Sequence, residues 1–130
     1  MDETTKINNL NNQEHSLEFL TSKIRKFVEE RDWDKYHNPK DLAIGVITEA
    51  SELLELFRFK SPEELEAMLK NEEKKKAISE ELADVFYFVL RFADKCNLNL
   101  SAELLKKMEK NETKYPIEKA KGKNLKYNEL

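Results

Sequence analysis

Two apolar segments of this chain carry acidic residues within the hydrophobic stripe that helical periodicity predicts. At about 100° per residue, one acid of each pair projects from the middle of the stripe and the other from its edge. The pairs are Glu49 and Glu52 in the segment 42–57, and Glu81 and Asp84 in the segment 77–93. A helix with a broad apolar stripe must pack against another apolar surface. The pattern therefore predicts two packed helices with four carboxylates between them.

Four converging carboxylates predict a metal site. A buried carboxylate must be neutralised by a proton, a cation or a metal, and neither stripe contains a Lys or Arg. Oxygen-rich sites favour Mg²⁺, with Mn²⁺ as a second choice. The alternative is accidental spacing, because 38% of the residues are charged. Pairs such as Glu63 and Glu66 have this spacing too, but they lie among other charged residues.

The residue types available argue against other metal centres. Zinc sites normally use His or Cys, and this chain has only His15, His37 and Cys96. A di-iron centre of the ferritin kind requires Glu-x-x-His motifs from two helices, which the sequence lacks. The prediction is therefore a carboxylate-bound Mg²⁺ or Mn²⁺, with Glu49, Glu52, Glu81 and Asp84 as ligands.

The composition predicts a single all-α domain. Two Gly and three Pro in 130 residues, with 38% charged and 39% hydrophobic residues, are typical of a helical protein. Four or five helices of this size would leave apolar surface uncovered in a monomer, so we expect a homo-oligomeric bundle. The predicted divisions are a poorly ordered lead-in (1–13), a helical domain (14–118) and a basic tail (119–130).

Charge and cysteine content narrow the class of protein. The net charge of -3, with signs intermixed, makes a duplex nucleic-acid partner unexpected. One cysteine suits a reducing compartment. No signal peptide and no stretch of roughly 20 apolar residues is visible, so the sequence predicts a soluble cytoplasmic protein without a membrane partner.

Capping residues and periodicity predict the order of the helices. We expect the last helix to turn Leu104, Leu105 and Met108 inward. The predicted helices run from near Ser16 to about Arg31, from Pro39 or Lys40 to Phe57, from Ser61 to about Leu69, from Asn71 to about Lys95 with Asn97 ending it, and from Ser101 to a tail that starts at Thr113.

A loop rich in rings separates the first two predicted helices. It contains Trp33, Tyr36 and His37, and Phe59 follows the second helix. These side chains either stack on a nucleobase or belong to the core. With Mg²⁺ bound by carboxylates and phosphate oxygens as remaining ligands, hydrolysis of a polyphosphate is the natural reaction, since a carboxylate can hold the attacking water.

Several motifs together resemble the all-α nucleoside triphosphate pyrophosphohydrolases of the MazG-like, dCTP-pyrophosphatase type. The similarity spans about residues 17–130. The motifs are Arg31-Asp32-Trp33, His37-Asn38-Pro39, Glu49-Ala50-Ser51-Glu52, Glu80-Glu81-Leu82-Ala83-Asp84, and Asn111 to Pro116. The resemblance implies a four- to five-helix bundle of that kind, assembled as a tetramer (a dimer of dimers) or a dimer. It also implies Mg²⁺-dependent cleavage of a triphosphate to monophosphate and pyrophosphate, for control of the nucleotide pool.

The resemblance also implies roles for individual residues. The two acid pairs would bind the metal, and catalytic work would fall to Glu49, Glu52, Glu55 and Glu80. The residues implied to contact the substrate are Trp33, His37, Phe59 and Phe88 at the base, and Lys114, Tyr115, Lys121 and Lys123 near the phosphates. Phe59 and Phe88 stand where some relatives carry Trp and Tyr, so the base specificity is the open point. A pyrimidine deoxynucleotide, plain or modified, is the first choice, and broad hydrolysis of triphosphates for housekeeping is the second.

Two alternatives to this function stay open at this point. The first is a metal-stabilised helical binding module without turnover. It accounts for acids on an apolar stripe but not for the crowded rings of the loop. The second is a phosphohydrolase that acts on other nucleotide anions at the same metal site.

Overall fold

The structure, a computed structural model, describes residues 15–130. Within that range the chain forms six α-helices and two 3-10 turns, without strands, which confirms the predicted all-α class. The predicted lead-in, 1–13, lies outside the described residues. The helices are α1 (Leu17–Glu30), α2 (Pro39–Glu55), α3 (Pro62–Lys70), α4 (Glu72–Lys95), α5 (Leu100–Lys114) and α6 (Ile117–Ala120), and the 3-10 turns are Asp34–Tyr36 and Tyr127–Glu129.

Three of the helix starts were predicted correctly from their capping residues. The side chains of Ser16, Ser61 and Asn71 accept hydrogen bonds from backbone amides in the first turns of α1, α3 and α4, at 3.1, 3.2 and 3.1 Å. Each cap satisfies an amide that has no partner within the helix. The end of α4 was also predicted, because Asn97 adopts a left-handed backbone with φ 54°.

Three predicted boundaries were wrong. Helix α2 ends at Glu55 rather than Phe57, and a turn follows in which Phe59 has a φ of 61°. Helix α5 begins at Leu100 with Asn99 as its cap, rather than at Ser101. Asn99 Oδ1 accepts from the Ala102 amide at 3.1 Å, so the chain restarts a helix directly after the left-handed turn. Helix α5 also continues through Thr113, where the tail was expected.

The chain divides into two compact units, Met1–Asn97 and Leu98–Leu130. In the first unit α4 is the central element: it packs chiefly against α2 and also contacts α1 and α3. The core is small, and its buried apolar side chains are Val28, Leu42, Met68, Leu90 and Ala93. This packing brings the acid-bearing faces of α2 and α4 together, as the two stripes predicted.

Many large apolar side chains of the first unit are exposed in the single chain. Ile47 is 66% exposed, Leu82 55% and Phe86 41%. Part of this surface forms an open groove along α4 of about 540 Å³, lined by Ser79, Leu82, Ala83, Val85, Phe86 and Val89. The exposed surface agrees with the expectation behind the oligomer prediction.

The second unit contains α5, α6 and the final 3-10 turn. The Tyr115 and Tyr127 rings meet edge to face at 6.3 Å, and the Lys114 ammonium lies 5.0 Å from the Tyr127 ring centre. These contacts fold the last residues back onto the end of α5. Leu104, Leu105 and Met108 are more than half exposed, so the prediction that they turn inward was wrong. Helix α6, with four residues, is too short to cover that face within the unit.

Among the described residues, no helix is both long and apolar enough to cross a membrane. The predicted boundaries at residues 14 and 118 stay predictions.

Candidate metal centre and the adjacent pocket

Three of the four predicted metal ligands come together between α2 and α4. Glu49 and Glu52 project from α2 and Glu81 projects from α4, and one carboxylate oxygen from each lies within 4.8 Å of the others. The spacing of three residues within α2 places both acids toward the same neighbour. The packing of α2 on α4 then adds the third acid.

The acid cluster has unsatisfied negative charge. Oε2 of Glu49 and Oε2 of Glu81 are buried without a hydrogen-bond partner in the described structure. Removal from water raises the pKa of Glu49 and of Glu81 above the usual value of 4.5, and the neighbouring carboxylate of Glu52 raises both further. Within residues 15–130, no Lys or Arg forms an ion pair with any of the three.

These features fit a hard divalent cation. The donor set consists of carboxylate oxygens alone, which suits Mg²⁺ or Mn²⁺ rather than zinc. An ion at this position would give the two buried oxygens the partner that they lack and would offset the repulsion among the acids. The ligand assignment remains a prediction, and the geometry is compatible with it for Glu49, Glu52 and Glu81.

The other predicted acids lie outside this group. Asp84 is exposed, although its negative charge contributes to the raised pKa of Glu49 and of Glu81. Glu55 instead forms an exposed ion pair with Arg58 at 3.5 Å, and Glu80 one with Lys76 at 3.9 Å. The structure therefore does not bring Glu55 and Glu80 into the cluster, and their catalytic roles remain predictions.

A cavity of about 320 Å³ opens beside the cluster. Its walls are mainly aromatic: Phe27 and Trp33 meet edge to face at 5.7 Å, and Tyr87 and Phe88 meet in the same way at 5.1 Å. Its size is at the lower end of small-molecule sites. The lining residues are Phe27, Trp33, His37, Asp84, Tyr87 and Phe88. Asp84 connects the cavity to the acid cluster, since it lines the first and acts electrostatically on the second.

Three predicted base-contacting residues line this cavity: Trp33, His37 and Phe88. Phe59, the fourth, does not: it is 89% exposed and lies against the guanidinium of Arg58. Sequence reasoning missed Phe27 and Tyr87 as residues of this cavity. Tyr87 follows Asp84 by three residues, so the helical spacing already placed it on the same side of α4.

The Phe88 ring lies directly against α2 at Gly45. A Cβ built on Gly45 would overlap the ring, with only 2.8 Å to its Cγ. The absence of a side chain at position 45 therefore lets the ring pack against the α2 backbone. Sequence reasoning did not single out this glycine, because its partner is far away in the sequence.

Behind the cavity lies a buried arginine, which sequence reasoning also missed. Arg91 is 3% exposed, and its guanidinium donates to three side chains. Nε donates to Nδ1 of His37 at 2.9 Å, Nη2 to Oδ1 of Asp34 at 2.6 Å, and Nη1 to Oδ2 of Asp94 at 3.1 Å. The signal in the sequence was a single Arg within the apolar segment of α4.

Asp94 joins α4 to α1 through a second arginine. Arg25 donates to both carboxylate oxygens of Asp94, at 2.6 and 3.2 Å. The bond from Arg25, with a smaller contribution from Arg91, lowers the pKa of Asp94 below its usual value of 3.8. A carboxyl with a lowered pKa in the folded state stabilises the fold above its unfolded pKa, and that contribution is lost as the pH falls through the folded pKa.

We therefore expect Asp94→Asn to lower the free energy of unfolding at neutral pH by about 1–3 kcal/mol, since Arg91 loses a charged partner. The difference from the wild type should shrink as the pH falls from 3.8 through the lowered pKa of folded Asp94, because the wild-type carboxyl then becomes protonated as well. Denaturant unfolding at several pH values measures this. The control is Asp32→Asn, which removes a surface ion pair to Lys35 and should change stability by about 0.5 kcal/mol or less. A deficit independent of pH would contradict the electrostatic explanation.

The predicted phosphate-contacting residues belong to the second unit. Lys114 ends α5, Tyr115 follows it, and Lys121 and Lys123 lie between α6 and the final turn. All four are exposed, and their roles remain predictions.

Comparisons with known proteins agree with the fold and the resemblance. The model of the MazG-like family matches residues 44–130. The dCTP pyrophosphatase 1 of Rattus norvegicus is 32% identical over 117 residues, which are 90% of this chain and 69% of that protein. The Homo sapiens protein of the same name is 33% identical over the same shares. The crystal structure of a pyrophosphatase from Archaeoglobus fulgidus superimposes with a TM-score of 0.73 at 38% identity, covering 83% of this chain and 99% of that one. The family model matches two thirds of the chain, and the resemblance stated from the sequence motifs is confirmed: this chain belongs to the MazG-like family.

Proposed function

We propose that this protein hydrolyses a deoxynucleoside triphosphate, with dCTP or a similar pyrimidine nucleotide preferred, to the monophosphate and pyrophosphate in a Mg²⁺-dependent reaction. The predicted enzyme class, a nucleoside triphosphate pyrophosphohydrolase, is confirmed by relatives that are pyrophosphatases. That class disfavours the binding module without turnover. Beyond this class, the proposal specifies the metal cofactor and the base and sugar of the substrate. It also assigns the protein a role in control of the nucleotide pool in the cytoplasm.

One observation carries this proposal: the aromatic cavity and the acid cluster adjoin at Asp84. A nucleoside triphosphate has an aromatic base at one end and a polyanion at the other. The cavity offers ring faces to the base, and the acids beside it offer a cation site to the phosphates. A scaffold stabilised by metal would need the acids, but it would not need an open aromatic cavity next to them.

In the proposed reaction, the acidic residues bind the metal and activate the attacking water. Bound at Glu49, Glu52, Glu81 and Asp84, Mg²⁺ would supply charge neutralisation on the triphosphate and polarisation of the reacting phosphoryl group. We assign to Glu52, the exposed member of the close group, the orientation of the attacking water and the acceptance of its proton. The water oxygen bonds to phosphorus, the α–β anhydride bond breaks, and pyrophosphate departs.

The remaining proposed contacts would neutralise charge on the substrate. Lys114, Lys121 and Lys123, with Tyr115, would offset phosphate charge that the metal leaves unbalanced. We further propose a homotetramer, as a dimer of dimers, or a homodimer. The exposed apolar groove along α4 supports this assembly, because a second copy would cover it.

A panel of nucleoside triphosphates tests the proposed function. The purified protein is incubated with each of the four deoxynucleotides and four ribonucleotides, with Mg²⁺, with Mn²⁺ and with a chelator, and the products are resolved. We expect pyrophosphate and monophosphate, loss of turnover with the chelator, and the highest kcat/KM for dCTP. Release of orthophosphate would instead indicate a phosphohydrolase of another kind, and a preference for purines would overturn the proposed base.

The cavity predicts the effect of removing its indole. Trp33→Ala should raise KM for the preferred triphosphate by about 5- to 150-fold, the equivalent of about 1–3 kcal/mol of stacking, with a smaller effect on kcat. The matched control is Tyr36→Ala, because Tyr36 lies in the same loop but does not line the cavity. An unchanged KM with a lowered melting temperature would mean that Trp33 only packs against Phe27.

A further inference from the structure

The Arg91–His37 hydrogen bond determines where the imidazole carries its proton. An arginine Nε always bears hydrogen, so Nδ1 of His37 must accept the 2.9 Å bond with its lone pair. In the neutral ring the single proton must then lie on Nε2. Burial, followed by the positive charge of Arg91, lowers the pKa of His37 below 6.5, which favours the neutral ring at physiological pH.

The proton on Nε2 is available to a ligand. His37 lines the aromatic cavity, and within the described structure Nε2 has no hydrogen-bond partner. The imidazole thus has one ring nitrogen committed to the protein and the other free. A hydrogen-bond donor can distinguish one base edge from another, which the ring faces of the aromatic walls cannot do.

The charged groups around His37 come from both sides of the ring. On the protein side lie Arg91, Lys95 and Asp34, of which the two cations disfavour protonation of the ring and the carboxylate favours it. Asp34 is itself held by Arg91 and by Lys95, at 2.6 and 2.8 Å. On the cavity side lies Asp84. Of these four groups, Arg91 alone forms a hydrogen bond to the imidazole in the described structure.

We propose that Arg91 is a positioning residue: it holds His37 as the neutral Nε2–H tautomer, so that His37 presents a hydrogen-bond donor to a nucleobase in the cavity. The ligand is then a base that turns a carbonyl oxygen or an unprotonated ring nitrogen toward His37, as the adjacent N3 and O2 of cytosine do. This proposal rests on the proposed function for its ligand, but the tautomer is a property of the free protein.

Nitrogen-15 NMR of the free protein tests the tautomer directly. The chain has only His15 and His37, so His37→Gln assigns both ring signals. We expect His37 of the wild type to show an unprotonated Nδ1 and a protonated Nε2 at neutral pH, and Arg91→Met to lose that preference. The matched control is Asp34→Asn, which disrupts the same network without touching the Nε–H bond and should keep the tautomer. An imidazolium or an Nδ1–H ring in the wild type overturns the proposal, as does an unchanged pattern in folded Arg91→Met.

Kinetics with dCTP provide the second arm. Arg91→Met should raise KM roughly three- to ten-fold, the loss of one hydrogen bond, with little change in kcat. In a His37→Gln background the glutamine side-chain amide can donate to the base without help from Arg91. Arg91→Met should then change KM less than about two-fold, which is the deviation expected between independent sites. An equal effect in both backgrounds would mean that Arg91 only stabilises the fold, and the proposal would fail.

The two arms separate this inference from the proposed function. If the wild type hydrolyses no triphosphate but NMR shows the Nε2–H tautomer in an Arg91-dependent manner, the proposed function fails and the positioning role stands. If triphosphates are hydrolysed but the tautomer is the other one, the positioning role fails alone. Should Arg91→Met not fold, the wild-type spectrum still decides the tautomer.

Discussion

Glu81→Gln is expected to lower kcat/KM by about two orders of magnitude or more while the fold persists. Glutamine has nearly the same volume as glutamate but carries no charge, so the substitution removes one anionic donor from the group formed with Glu49 and Glu52. The same result is expected for Glu49→Gln. Steady-state kinetics at several Mg²⁺ concentrations measure the loss, and added Mg²⁺ should restore part of the activity if the charge acts through the ion.

The same substitution should raise the stability of the metal-free protein. The pKa of Glu81 is raised in the folded state, so the protonated carboxyl favours folding below the usual value of 4.5 and that contribution is lost as the pH rises through the folded pKa. At neutral pH the charged carboxylate therefore opposes folding, and glutamine relieves it. Melting temperatures in chelator should be higher for Glu81→Gln at pH 7 and nearly equal to the wild type below pH 4.5.

Divalent metal should reverse that order. Ligand that binds only the folded state stabilises it by mass action, and the wild type has the stronger site. Glu63→Gln is the matched control: Glu63 is an exposed acid on α3, outside the group, and its substitution should alter neither activity nor the response to Mg²⁺. Full activity in both Glu49→Gln and Glu81→Gln would rule out the metal assignment, whatever the melting temperatures show.

The convergence of these acids could be predicted because each acid sits on a helical stripe. Helical periodicity is local, and an apolar stripe must be covered, so the positions of Glu49 and Glu81 in their stripes were enough to place them between packed helices. The caps Ser16, Ser61 and Asn71 were predictable for the same reason, since a cap bonds to an amide within the next three residues. Local rules determined these features.

The rest depended on partners that are distant in sequence. Arg91 contacts His37 across 54 positions and Asp34 across 57, and no local pattern connects them. The need for glycine at position 45 could not be predicted for the same reason, because its partner Phe88 lies on another helix. The start of α5 was predicted at Ser101 instead of Asn99 for another reason. Asn and Ser both cap helices well, and the left-handed turn at Asn97 determines that Asn99 is the residue that caps α5.

The second large effect is expected at Gly45. In Gly45→Ala the new methyl group would overlap the Phe88 ring, which Tyr87 holds edge to face at 5.1 Å. Either the ring moves into the cavity that it lines, or α2 moves away from α4 and carries Glu49, one turn farther along, away from Glu81. Both movements damage the site. We expect a loss of about 1–3 kcal/mol in stability, as in overpacked cores, together with a raised KM for the triphosphate.

A double substitution separates the steric clash from other effects of position 45. Within a helix, glycine is less favourable than alanine by about 0.8–1.0 kcal/mol, so Gly45→Ala should become stabilising once the ring is removed. In a Phe88→Leu background we therefore expect the sign of the stability change to reverse, whereas the affinity for the base stays low because the ring itself is missing. Denaturant unfolding and KM for dCTP, measured on the four members of the cycle, give both quantities. If Gly45→Ala destabilises the protein equally in both backgrounds, the close approach of Phe88 is not the reason for glycine at this position, and the depth of the cavity must depend on other contacts between α2 and α4.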